Sequence, residues 1–130
     1  MKYLGIDYGS KRIGLAVSDR EGKVAFPREV VVNKGQKTLA YIAMFCTREK
    51  IEEIVLGESL NFKMQPNQIQ VDIANFKLQI ENLTGLGVRY QSEVFSSAEA
   101  ARQTDKINLD AGAAAIILQS FLDKRKEDIM

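Results

Sequence analysis

The fold of this chain is limited most by a change of hydrophobic period between residues 32 and 36. Before it, apolar residues alternate. Lys2 to Asp7 reads as a first strand, Tyr8-Gly9-Ser10 as a turn, and Arg12 to Ser18 as the second strand of a hairpin. Glu21-Gly22 makes the next turn, and Val24 to Val32 supplies a third strand that Pro27 confines to a sheet edge. After the change, Leu39, Ile42, Ala43 and Cys46 recur at i, i+3, i+4 and i+7, which predicts an amphipathic helix over 36–49. Ile54 to Gly57 is a short buried strand. Ile69, Ile73, Phe76, Ile80 and Leu83 mark a second helix, ended by Gly85 and Gly87, and Val88 to Gln91 is a fifth strand. Ser96 followed by Glu99 is a capping-box pattern for a short third helix. Asn108 caps a final helix running to about Lys126, with Ala113, Ile116, Ile117 and Phe121 on its buried side.

Short turns between the first three strands imply an antiparallel meander, and helices between the later strands imply right-handed parallel crossovers. The expected class is therefore α/β, a five-stranded mixed sheet flanked by helices. At 130 residues the chain has room for one core, so a single domain over 1–130 is expected.

Composition narrows the chemistry more than it suggests a partner. Eighteen basic and 17 acidic residues leave a net charge of +1, so nucleic-acid binding has to rest on a local patch. The absence of histidine removes histidine triads, histidine general acids and histidine zinc sites, and the lone Cys46 excludes a cysteine zinc cluster. Cys46 falls on an apolar helical stripe, as a small core residue in a reducing cytoplasm would. No apolar run spans a bilayer, and Met1 leads straight into a strand, so neither a membrane segment nor a signal peptide is expected.

What remains is carboxylates, hydroxyls, Lys/Arg and one thiol, and among these the carboxylates stand out. Asp7 ends an aliphatic strand before Gly9-Ser10 and should sit at the sheet's carboxyl edge, where open α/β sheets place ligands. A turn-forming Asp bonded to nearby amides is the competing reading. Glu58 and Glu93 each follow a strand, and Asp110 opens the last helix, where the dipole alone would favour it. Four carboxylates converging at one edge would suit Mg²⁺ or Mn²⁺, which prefer oxygen donors and relieve the mutual repulsion of the acids. Lys11 and Arg12, beside the Gly9-Ser10 turn, are candidate phosphate contacts or solvated hairpin charges. Tyr8 is a candidate base-stacking ring or a half-buried aromatic, and Lys124-Arg125-Lys126 reads as the solvated end of a helix.

Gly5-Ile6-Asp7-Tyr8-Gly9-Ser10-Lys11-Arg12-Ile13-Gly14-Leu15-Ala16-Val17-Ser18-Asp19 closely resembles the opening motif of the YqgF family, also called RuvX. Leu109 to Asp123 resembles that family's last helix, and Val55-Leu56-Gly57-Glu58-Ser59-Leu60-Asn61 its middle strand and loop. The resemblance implies an RNase H-like fold, a cytoplasmic location and a metal-dependent nuclease with Mg²⁺ or Mn²⁺. The implied substrate is pre-16S ribosomal RNA or a Holliday junction. By position, Asp7 and Asp110 match the family's active-site aspartates, and Glu93 the glutamate of an Asp-Glu-Arg signature that here reads Ser92-Glu93-Val94. Glu58 is a further candidate metal ligand. The segment Gln103 to Asn108 is shorter than the family's basic loop, with Lys106 its sole cation.

Three functions compete at this stage. The first is an endonuclease using Asp7, Glu93 and Asp110, as a monomer or homodimer, on ribosomal RNA precursor or branched DNA. The second is an RNA- or ribosome-binding module with a weakened site. The third is an actin-like ATPase reading of Asp7-Tyr8-Gly9-Ser10, which 130 residues are too few to complete with two domains.

Overall fold

The structure, a computed structural model, describes residues 1–58, 68–92 and 109–129. Within them the order is β1 (Tyr3–Tyr8), β2 (Arg12–Ser18), β3 (Ala25–Val32), α1 (Gln36–Glu49), β4 (Glu53–Glu58), α2 (Gln68–Thr84), β5 (Gly87–Ser92) and α3 (Leu109–Ile129). The sheet runs β3-β2-β1-β4-β5. β1 is antiparallel to β2 and β2 to β3, whereas β1–β4 and β4–β5 are parallel. The five-stranded mixed sheet expected from the pattern of strands and helices is thus observed, in the arrangement the family resemblance implies. The short helix expected near Ser96 falls outside the described residues.

Strand alternation divides the core. Leu4, Ile6, Ile13, Leu15, Ile54 and Leu56 face α1 and α2, meeting Ile42, Phe45, Phe76 and Ile80. Tyr3, Ala16 and Val55 face the other way, against Ala114, Ile117, Leu118 and Leu122 of α3. Each fully buried aliphatic or aromatic side chain of this kind contributes about 1.5–3 kcal/mol.

α3 lies close on β1 because Gly5 allows it. A Cβ at Gly5 would stand 2.7 Å from the Leu118 Cβ and 3.0 Å from the Ala114 carbonyl oxygen. Gln119 pins the same helix to the start of β3: its Oε1 accepts from the Ala25 amide at 2.9 Å and its Nε2 donates to the Lys23 carbonyl at 3.0 Å. β3 is an edge strand, as Pro27 requires, and its ladder shifts register between Leu15 and Ala16.

Boundaries moved where neighbours extended them. β1 continues through Tyr8 because Asp7 and Tyr8 pair with Gly14 and Ile13, so Asp7 is a strand residue and not the end of one. β4 likewise includes Glu58, which pairs with Ser92. Gly87 opens β5 instead of closing α2, and α3 runs to Ile129. α1 matches its expected span and ends on Lys50 in the left-handed region, φ 57°, with the Ile51 amide donating to the Cys46 carbonyl at 2.9 Å.

Candidate active site

Asp7 sits at the carboxyl end of the central strand. Tyr3 and Gly5 face α3, so Asp7, two residues further on, presents its carboxylate to the same face, half-buried. Its partner across β2 is Gly14. On the other side, carrying the β1–β4 register one step past Ile6↔Leu56 sets Gly57 beside it. Two glycines therefore flank the carboxylate along the sheet, and neither puts a side chain over it.

The turn that follows is tightly built. A Cβ on Gly9 would collide with the Arg12 carbonyl oxygen, so only glycine fits this closure. The Asn33 amide Nδ2 donates to the Gly9 carbonyl at 3.0 Å, and the Asn33 backbone amide donates to the Lys11 carbonyl at 2.8 Å. Asn33 also accepts from the Gly35 amide at 3.1 Å, linking the turn to the entry of α1. Thr38 secures that entry by donating to the Val32 carbonyl at 2.7 Å and accepting from the Lys34 amide at 2.8 Å. Nothing local in the sequence signals the Asn33–Gly9 contact, since it spans 24 residues. Lys11 and Arg12 are exposed on this braced turn. Tyr8 turns to the opposite face and packs on Phe76 with ring centroids 5.1 Å apart, which favours the half-buried reading.

The last helix reaches the same corner. α3 runs antiparallel to β1: Phe121 meets the Tyr3 ring edge-on at 5.5 Å, and Ala114 and Leu118 lie against Gly5. Asp110 is in the first turn of α3, one helical turn before Ala114, and so on the part of the helix that heads toward the Asp7 end of β1. Glu93 is the residue after β5 and lies outside the described residues.

Glu58 is placed differently. Leu56 faces α1 and α2, so Glu58 does too, and it lines a hollow with Gln70, Ile73 and Tyr90. Asp7 and Glu58 thus stand on opposite faces of the sheet. Position after a strand is visible in sequence, but the face depends on register. Among the described residues no three acidic, cysteine or histidine side chains form a metal-sized group. Glu93 and Asp110, expected from sequence to join Asp7, contribute no described side chains here. An all-carboxylate donor set of this kind suits a hard divalent cation.

A mixed sheet in this order, with helices on both faces and an aspartate at the carboxyl end of its central strand, defines the RNase H-like class. The structure of Thermus thermophilus RuvC in complex with a Holliday junction substrate superposes with a TM-score of 0.68 at 18% identity, covering 97% of this chain and 96% of that one. The profile described as "RuvX: Holliday junction resolvase" matches residues 1–124, and the chain belongs to that family. A relative from Nitratidesulfovibrio vulgaris, named "Putative pre-16S rRNA nuclease", is 35% identical over 95% of this chain and 94% of its own length. One of the same name from Lawsonia intracellularis is 32% identical over 98% of this chain and 97% of its own.

Proposed function

We propose that this chain is a divalent-metal-dependent endonuclease that hydrolyses phosphodiester bonds in precursor 16S ribosomal RNA, working in the cytoplasm as a single domain over 1–130. The observation that carries this reading is the Asp7 carboxylate, standing between Gly14 and Gly57 on the sheet face toward which α3 brings its first turn. The relatives' shared name supplies the substrate.

Asp7, Glu93 and Asp110 are the residues that would hold Mg²⁺ or Mn²⁺. Glu58, on the opposite face, is left out of this set. When bound, such cations lower the pKa of an attacking water and stabilise the leaving oxygen. Asp7 is held by a strand paired on both sides, so this ligand keeps its place without a folding step. The glycines beside Asp7 leave lateral space for a phosphate. Lys11 and Arg12, on a turn closed by Gly9 and Asn33, meet the phosphates next to the cut bond.

The test is cleavage of a labelled precursor ribosomal RNA fragment and of a four-way DNA junction in Mn²⁺, wild type beside Asp7→Asn. Cutting of the RNA by wild type alone is expected, with a loss of at least about a hundredfold in the variant. Preference for the junction would move the substrate to branched DNA. Silence from wild type with RNA still bound would favour the binding module.

A further inference from the structure

The sheet face that carries Asp7 is covered unevenly. α3 packs over Tyr3, Ala16 and Val55, and beyond it, along β4 and β5, there is an open hollow of about 410 Å³. Its rim draws cations from two elements far apart in sequence, Arg89 from β5 and Lys124 and Arg125 from α3. The helix dipole does not account for this grouping: α3 continues to Ile129, and Arg89 belongs to no helix. Arg89 bonds Glu53 through Nε, yet its side chain stays 65% exposed, and a guanidinium has five donors to offer. Lys124 is exposed, and Arg125 lies over the Tyr3 ring at 5.4 Å from its centroid. Glu53 is the one acid among the described residues lining the hollow. The adjacent Asp123 accepts from Gln119, toward the β3 side.

The hollow and Asp7 lie on one face of the sheet with α3 over Gly5 between them, and the part of that face left open follows β5 from Arg89 to Gln91. Tyr3 lines the hollow, and Asp7 lies four residues further along the same face of β1, about 13 Å away at strand rise. Gln91, near the end of β5, also lines the hollow. Cations in excess of acids, beside the rings of Tyr3 and Phe121, match a single-stranded polyanion. We propose that this hollow holds the sugar-phosphate backbone of a single-stranded nucleic-acid segment flanking the bond held at Asp7. That the segment flanks a bond held at Asp7 rests on the nuclease reading, but binding itself does not.

The test uses the full chain, metal removed with EDTA, and a labelled single-stranded RNA of about 12 nucleotides, a length matched to single-strand grooves. Wild type should bind, with log affinity falling linearly against log salt. Arg89→Gln/Lys124→Gln should bind about tenfold more weakly, with a salt slope smaller by about 1.4, two contacts at about 0.7 each. Glu53→Gln removes the acid and should bind more tightly, a gain that damage to the fold would not produce. Failure of wild type to bind, or wild-type affinity and slope in both variants, overturns the proposal. Cleavage in Mn²⁺, run in parallel, separates the two readings. RNA bound through the hollow but never cut would remove the nuclease and leave the groove. Cutting by wild type, with affinity indifferent to Arg89, Lys124 and Glu53, would do the reverse.

Discussion

Gly5 sets the distance between the central strand and the helix that carries Asp110. Any side chain there meets the Leu118 Cβ at 2.7 Å and a backbone carbonyl at 3.0 Å, and neither is the flexible end of a long side chain. Gly5→Ala should therefore push α3 outward and cost about 1–3 kcal/mol, read as a lower midpoint in urea unfolding. On the proposed nuclease reading it should also slow RNA cleavage beyond what the stability loss explains, since α3 carries Asp110, one of the two aspartates proposed to hold the metal. A variant as stable as wild type would show that the helix has room to move. The same residue scale shows how the site was legible in part. Asp7 stood out because an acid closed an aliphatic run, but the two glycines beside it are 7 and about 50 positions away and only pairing reveals them. Glu58 was equally conspicuous in sequence, and its parity on β4 sends it to the other face.

At the scale of elements, α1 is tied to the sheet by Glu49. Its carboxylate accepts from Arg28 of β3 at 2.9 and 3.3 Å and from Lys2, just before β1, at 3.4 Å. Arg28 and Arg48 also lie over the Phe45 ring, 5.5 and 5.3 Å from its centroid. The bond from Arg28 holds the Glu49 carboxyl below its ordinary range, against the upward pull of burial. A folded value below the unfolded one means the stabilisation is complete above the unfolded pKa and is lost as pH falls through the folded pKa. Because the partners are partly exposed, Glu49→Gln should cost only about 0.5–1 kcal/mol at neutral pH. That difference should fade below about pH 4 and vanish at lower pH, as urea titrations of both proteins would read it. A difference independent of pH would assign the effect to packing instead. α1 and α2 followed from local period, and the antiparallel and parallel strand pairs from short turns and intervening helices, whereas this ion cluster joins residues with no sequence relation.

For the molecule as a whole, Cys46 reports on the integrity of the core. It is a free thiol inside the cluster beneath α1, and burial pushes its pKa up to about 12. The thiolate is the reactive form, so labelling of the native protein by a disulfide reagent should be negligible near neutral pH. It should rise with urea in step with loss of helical signal, because opening that cluster exposes both α1 and β4. Labelling that precedes the main transition would mean that α1 detaches as a separate unit. No helix among the described residues is long and apolar enough to cross a membrane.

The sequence alone determined which segments are strands or helices, because alternation and the 3.6-residue period are written in neighbouring residues. β2 and α1 matched to the residue. It also determined, through the absence of histidine and the single cysteine, that histidine triads and histidine or cysteine zinc sites are excluded. Only tertiary structure decided which carboxylates share a face. A strand's side chains change face at every residue, and which face meets α3 depends on register and on partners far along the chain. The same reason hid the cationic hollow: Arg89 and Lys124 are 35 residues apart in sequence, and only the packing of α3 across the sheet sets them on one rim.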